Sequence, residues 1–417
     1  MKKIFFFVIL MYASNIAKSE DAGWILAGQL QLRTEVDGRD FSNKTRAINY
    51  TNMRTRLSVA KSLFDNLNFF VQIQDSRIFG SEPTTLSSTY NIDLHQAYIS
   101  MKEPLGIPVN IKAGRFEMNY GTQRFIGAVG WNYVGRSFDG VVLTAEPWVK
   151  LDVFALTLKN LQEYISNAGP QYYHDKLASS SIYSLYGFWA KKEFEKSHIV
   201  DLFGYWEQNR VKTSSDKPLL SMGTFGTNYN GAFGDFSTMF EAAYQLGSTG
   251  DKDISAYLAS LQFNYKINTF SIGAGADILS GTDPEETETY NTFAASYGTN
   301  HKFYGYMDYF INIPGNTNNL GLRDIYAMLK WLPKESDFNA SADFHIFNST
   351  QNSHDNKNSF GNELDLTLNY KFNNSTVITW GGSIFIPGDL MKTAFSTAKY
   401  QKEDTGFWTY LMIQANI

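Results

Sequence analysis

The sequence predicts an all-β fold, a transmembrane antiparallel β-barrel of 18 strands with short turns at one end and long loops at the other. Three observations carry this. Segments of strand length alternate apolar with polar side chains, their connections alternate short with long, and no stretch of 3.6-residue periodicity interrupts the 417 residues. Only a closed sheet lets such strands cross lipid with every backbone polar group bonded.

The first nineteen residues read as a cleavable secretory signal. Lys2 and Lys3 supply the charge, Phe5 to Tyr12 the apolar run, and Ala17-Lys18-Ser19 the small-residue cleavage site. Residues 20–417 are then the barrel, with the short turns periplasmic and the long loops extracellular. The apolar run is shorter than the ~20 residues a membrane-spanning helix needs, and no later segment approaches that. Without the signal's three lysines, 33 basic side chains face 41 acidic ones, a net charge of −8 that argues against a nucleic-acid binder. With no cysteine, disulfides, thiolate metal sites and an acylated N-terminal Cys are excluded.

Taken in order, the first strands are expected near 24–36, 50–61, 67–77 and 92–102. In the first, Leu26, Leu30, Leu32 and Val36 oppose Gln29, Gln31, Arg33 and Glu35; in the second, Met53, Thr55, Leu57 and Val59 oppose Asn52, Arg54, Arg56 and Ser58. One face meets lipid and the other water. Strands follow at 108–118, 137–145, 149–158, 181–191, 198–209 and 218–229. The alternation is clearest in the next group, 235–246, 254–265, 269–279, 320–331, 337–347, 361–372 and 376–386. There Leu364, Leu366, Leu368 and Tyr370 alternate with Glu363, Asp365, Thr367 and Asn369. These polar faces do not suit a dry core, which a soluble sandwich would need. Aromatics at the short turns, Trp148, Tyr265, Trp331 and Phe372, suit an interfacial girdle. The last strand, 406–417, keeps Phe407, Leu411, Ile413, Ala415 and Ile417 in phase. It resembles the C-terminal signal read by the barrel-insertion machinery, with Ile417 where Phe or Trp is usual.

Arginine is unevenly placed. Nine lie in the first 136 residues, and only Arg210 and Arg323 follow. Arg33, Arg54 and Arg56 have the inward phase and are expected to line the lumen, where a guanidinium binds carboxylate in a fork. The alternative is that they pair with acids such as Glu35, Asp75, Glu117 and Asp139 and pack the wall. Strict alternation from Ile111 and Ala113 points Arg115 outward, unless a bulge at Gly114 corrects the phase.

From Gly114 the chain reads Gly114-Arg115, then Asn119-Tyr120-Gly121-Thr-Gln-Arg124, then Arg136-Ser137-Phe138-Asp139-Gly140, with echoes at Asp93-Leu-His95-Gln96-Ala97-Tyr98 and His301-Lys-Phe-Tyr304-Gly305-Tyr306-Met-Asp308. This closely resembles the bacterial alginate export family. The resemblance implies an 18-stranded outer-membrane channel with a basic lumen, monomeric, and makes Arg115, Arg124, Arg136 and Asp139 its constriction residues. Thr122 departs from the pattern, standing where an acidic residue is common. All predicted periplasmic turns are short, so the loops 119–136 and 280–319 are the ones available to fold inward and close the lumen.

The pore-lining set is thus Arg33, Arg54, Arg56, Arg115, Arg124, Arg136, Glu117 and Asp139, and the solute an anionic saccharide or organic acid. No enzyme is expected: the six histidines are scattered, with no spaced metal cluster, nucleophile elbow or phosphate loop. No cofactor is called for. The run Asp283-Pro-Glu285-Glu286-Thr-Glu288 reads as a solvated loop tip ahead of a calcium site. The competing class is a structural or adhesive barrel with a loop-sealed lumen and aromatic tips such as Tyr172 and Tyr173.

Overall fold

The computed structural model describes residues 17–18, 23–81, 91–159, 183–195, 197–394 and 403–417. The expected signal, apart from Ala17–Lys18, and the tip at Tyr172 and Tyr173 lie outside the described residues.

Eighteen strands form the wall. They are β1 (Trp24–Gly38), β2 (Ile48–Phe64), β3 (Leu67–Ile78), β4 (Ile92–Met101), β5 (Asn110–Phe116) and β6 (Phe138–Ala145). Next come β7 (Lys150–Lys159), β8 (Tyr183–Phe194), β9 (His198–Lys212), β10 (Pro218–Phe233), β11 (Phe236–Thr249) and β12 (Lys252–Ile267). The last six are β13 (Phe270–Leu279), β14 (Leu322–Trp331), β15 (Phe338–Asn348), β16 (Ser359–Lys371), β17 (Thr376–Pro387) and β18 (Gly406–Asn416). Each pairs antiparallel with its neighbours in sequence, and β18 pairs with β1 from Gln29↔Asn416 to Gly38↔Phe407, which closes the barrel. No described helix is long and apolar enough to cross a membrane. The crossing is made by strands.

The predicted faces are observed. Leu57, Leu261, Ile325, Leu329, Phe344, Leu366 and Leu411 stand exposed on the outside, while the residues between them, such as Arg56, Ser260, Asp324, Asp343 and Asp365, are buried inside. An apolar belt on that scale is stable only against lipid. Trp148, Tyr265, Trp331 and Phe372 are exposed at the short-turn end. The one described α-helix, Asp389–Ala394, lies between β17 and β18 and buries Leu390 and Met391. Six residues are too few for a helical period to be legible.

Near the first loop, the bulge in the wall lies one strand away from where the sequence suggested it. Gly114 pairs in register with Tyr98 and Gly140. At φ +132° it lets the neighbouring strand approach so closely that a Cβ would sit 2.2 Å from the Ala97 carbonyl oxygen, so only glycine fits. The extra residue is His95 of β4, passed over between Leu94↔Ile73 and Gln96↔Gln72. This bulge turns both His95 and Gln96 toward the interior.

Candidate functional site: two loops folded into the lumen

The inner wall has three sectors. On β1 to β4 it carries Gln31, Arg33, Arg54, Arg56, Gln74 and His95; on β5 to β9 it is aromatic, with Phe116, Phe138, Phe154, Trp189 and Phe203; from β11 to β16 it carries Glu241, Asp277, Asp324, Asp343, Glu363 and Asp365. The loops 117–137 and 280–321 fold in against these sectors and meet.

Segment 130–134 of the first loop runs along the arginine sector. Arg33 donates to the Trp131 carbonyl at 2.9 Å, and Arg54 to those of Gly130 (3.0 Å) and Asn132 (2.7 Å). Ser76 and Gln74 donate to the carbonyls of Tyr133 (2.7 Å) and Val134 (2.8 Å). An irregular backbone buried inside protein must find partners for its carbonyls, and the wall side chains supply them where a strand would otherwise. The Arg33 guanidinium also lies 4.2 Å over the Trp131 ring.

The root of this loop is held by the bulged residues. Glu117 accepts from Arg56 at 3.1 Å and contacts His95 Nε2 at 2.7 Å, while its backbone N–H donates to Gln96 at 3.1 Å. Ser137, His95 and Glu117 thus stand in the order of a hydrolase triad. Ser137 Oγ, however, is 3.4 Å from His95 Nδ1 and 2.6 Å from the His95 carbonyl oxygen, which takes its proton, and Arg56 lies 2.8 Å from Nε2. The group serves to hold the loop. Further on, Tyr120 stacks on Trp189 at 4.9 Å and Trp189 on Phe203 at 4.4 Å, and Phe125 and Ile126 sit fully inside the aromatic sector.

Arg124 is the centre of the arrangement. Its guanidinium is wholly buried, bonded to Glu241 (2.6 Å), Asp277 (2.8 Å), Ser260 (3.0 Å) and the Tyr304 hydroxyl (3.1 Å), with Phe303 stacked 4.0 Å away. An isolated buried charge costs several kcal/mol; two carboxylates and neutral acceptors offset that here. Thr122, the departure from the family pattern, donates to Glu241 at 2.5 Å and so shares the carboxylate that Arg124 uses.

The second loop locks onto the first. Gly127 N–H donates to Tyr297, Thr299 N–H donates to Gln123, and Arg136 donates to the carbonyls of Gly127, Tyr297 and Gly298. His301 stacks on Trp131 at 4.2 Å. Against the carboxylate sector, Met307 N–H donates to Glu363 (2.8 Å) and Tyr306 N–H to Asp365 (3.3 Å). Gln245 acts as a surrogate strand, exchanging two bonds with the backbone of Ala294.

The predicted residues therefore divide. Arg33, Arg54, Arg56 and Glu117 face inward and hold the first loop; Arg124 and Arg136 lie within the joined loops. Arg115 and Asp139, expected in the lumen, stand on the outward parity shared by Ala113 and Val141, and pair there at 2.7 Å. With Gly114 in register, no bulge turns them inward. Sequence reasoning did not assign the loop-binding roles of Gln245, Glu363 and Asp365. The in-phase inward carboxylates of the later strands were the available signal, a wall of charge opposite to the early arginines.

Comparison with known proteins identifies the lineage. The alginate export family model matches residues 24–402. The chain belongs to the alginate export family. Among curated proteins none matches it. Its fold is similar to solved barrels at low identity: OccAB4 of Acinetobacter baumannii, at 11% identity and TM-score 0.60, covering 94% of this chain and 98% of that one; OpdK of Pseudomonas aeruginosa with vanillate, at 10%, 0.58, 94% and 98%; and OccK8 (OprE) of the same organism, at 11%, 0.58, 94% and 98%. With the apolar belt, family membership makes the chain an outer-membrane channel protein.

Proposed function

We propose that the chain is a passive outer-membrane channel for small anionic solutes, organic acids or short uronate oligosaccharides. The observation that carries this reading is the pair of loops tied across the lumen around Arg124. A lumen occupied by two folded loops suits small single solutes better than a long polymer. The anionic preference is supported by the guanidinium groups of Arg33, Arg54 and Arg56 on the inner wall: Arg33 and Arg56 are paired with Glu35 and Glu117, while Arg54 donates to the uncharged carbonyls of Gly130 and Asn132. The family description, alginate export, concerns a uronate polymer, and a barrel of similar fold has been solved with the aromatic carboxylate vanillate. No cofactor enters the mechanism.

Single-channel recording of the full chain in a planar bilayer tests it. The expected result is a reversal potential of anionic sign under a salt gradient, with current blocked by added oligouronate. A cation-selective or unselective current overturns the anion path. The competing reading, a sealed structural barrel, is favoured by the buried aromatic cluster of Phe116, Phe125, Phe203 and Phe293 inside the wall. Intact, folded protein that carries no current would favour it.

A further inference from the structure

Beneath the joined loops, on the short-turn side, is a cavity of about 110 Å³ bounded by the second loop and the inner faces of β12, β14 and β15. Lys302 and Tyr306 reach it from the loop, and Lys330, Tyr326 and Gln262 from the wall. Neither lysine makes an ion pair with a carboxylate within 4.0 Å among the described residues. The contrast with the arginines is plain, since Arg33, Arg39, Arg56 and Arg124 each have an acidic partner. His345, also at the cavity, is already engaged with Asp324 at 2.9 Å. Its other acidic neighbour, Asp343, is bonded by the Tyr306 hydroxyl and feels the charge of Lys330.

We propose that this cavity is a solute-binding site for a carboxylate borne on a hydroxylated six-membered ring. Lys302 and Lys330 hold the carboxylate, and Tyr306, Tyr326 and Gln262 border the edge of the ring that bears it. The site deepens the anionic-channel reading and rests on it for its place in transport. One lysine comes from the loop and the other from the wall, so the site exists only while the loop is docked. Burial alone holds the Lys302 ammonium below the usual lysine range, so a bound carboxylate relieves it. A saccharide acid and a hydroxybenzoic acid share this chemistry. The cavity is smaller than the ~150 Å³ apolar cavity known to take benzene, so it receives the acidic edge of such a ring and not a chain of them.

The test is calorimetric titration of the full refolded chain in detergent with galacturonate and with 4-hydroxybenzoate, each against its neutral counterpart, galactose or 4-hydroxybenzyl alcohol. At least one acid is expected to bind about tenfold tighter than its neutral counterpart, and which one does identifies the source. K302Q/K330Q is expected to abolish that preference, while K302R/K330R, which keeps both charges, retains it. Equal binding of the acid to wild type and K302Q/K330Q overturns the site, as does failure of both acids to bind wild type. The channel reading fails separately. Lysine-dependent binding without anion-selective current overturns that reading and leaves the site; selective current without lysine-dependent binding does the reverse.

Discussion

At Arg124 one side chain neutralises two carboxylates that the wall would otherwise leave buried and charged. Replacing it with Met removes the attraction and leaves Glu241 and Asp277 without their cation, a change of the kind that costs about 3–5 kcal/mol. The expected outcome is release of both loops, seen as a larger single-channel conductance and protease cleavage within 117–137 in the folded barrel. Unchanged conductance would mean that the loops are held without it. Gly305 makes a finer test: its φ is +80°, and a Cβ would lie 2.6 Å from Glu363 Oε1. Gly305→Ala therefore strains the backbone by about 1–3 kcal/mol and pushes the loop from its carboxylate anchor, so conductance should rise without loss of the barrel. Glu117 sets a pH dependence. Burial opposes its ionisation, but the bond to His95 and the Arg56 charge outweigh burial and hold the carboxyl below the usual range. Its contribution is present above the ordinary glutamate pKa and lost as pH falls through the lowered one. Current noise from the loop should therefore stay low from neutral pH into the ordinary carboxylate range and rise only below it. Noise that rises instead as pH is raised would contradict the assignment.

At the scale of elements, the early strands and the first loop form one unit joined by side chain to backbone. Arg54→Ala/Arg56→Ala removes two carbonyl contacts and the Glu117 tether together. The expected effect is a wider, noisier channel, with the change in ion preference following from the loosened loop. A purely electrostatic lining would instead change selectivity at constant conductance, and that result would separate the two roles. The acidic tip 283–288 folds on itself: Asp283 caps the Glu285 N–H at 2.9 Å, and Glu286 accepts from Glu288 and Thr289 at 2.7 and 3.0 Å. Among the described residues no cluster of acids and histidines has the geometry of a metal site. Calcium should leave thermal stability unchanged, and stabilisation reversed by a chelator would count against the solvated-tip reading.

For the whole molecule, the seam between the first and last strands is the step that removes two open edges. It extends to Ile417, whose backbone exchanges two bonds of 2.8 Å with Gly28. Deleting residues 406–417 exposes the edges of β1 and β17 and should abolish the compact, heat-modifiable species on gels. Release of the loops by Arg124→Met should leave that species intact, because the wall closes without them.

The strand count, the direction each face looks and the end at which the long loops lie were all legible in the sequence, because a period of two residues records the environment of each face locally. Leu364 to Tyr370 announces lipid on one side and Glu363 to Asn369 announces polarity on the other with no reference to any distant residue. The tertiary structure alone decided what meets the polar face. Arg33 bonds a carbonyl 98 positions away, Arg54 one 76 away, and Arg124 carboxylates 117 and 153 away. Inward phase says that a guanidinium faces the lumen; whether water, a solute or a folded loop occupies that space depends on long-range closure. The same limit explains Arg115 and Asp139: strict alternation along β5 points Arg115 outward, as observed, and the bulge that could have turned it inward is absent at Gly114, which pairs in register with both neighbours. A bulge depends on how two strands register against each other, and no single strand's pattern contains that.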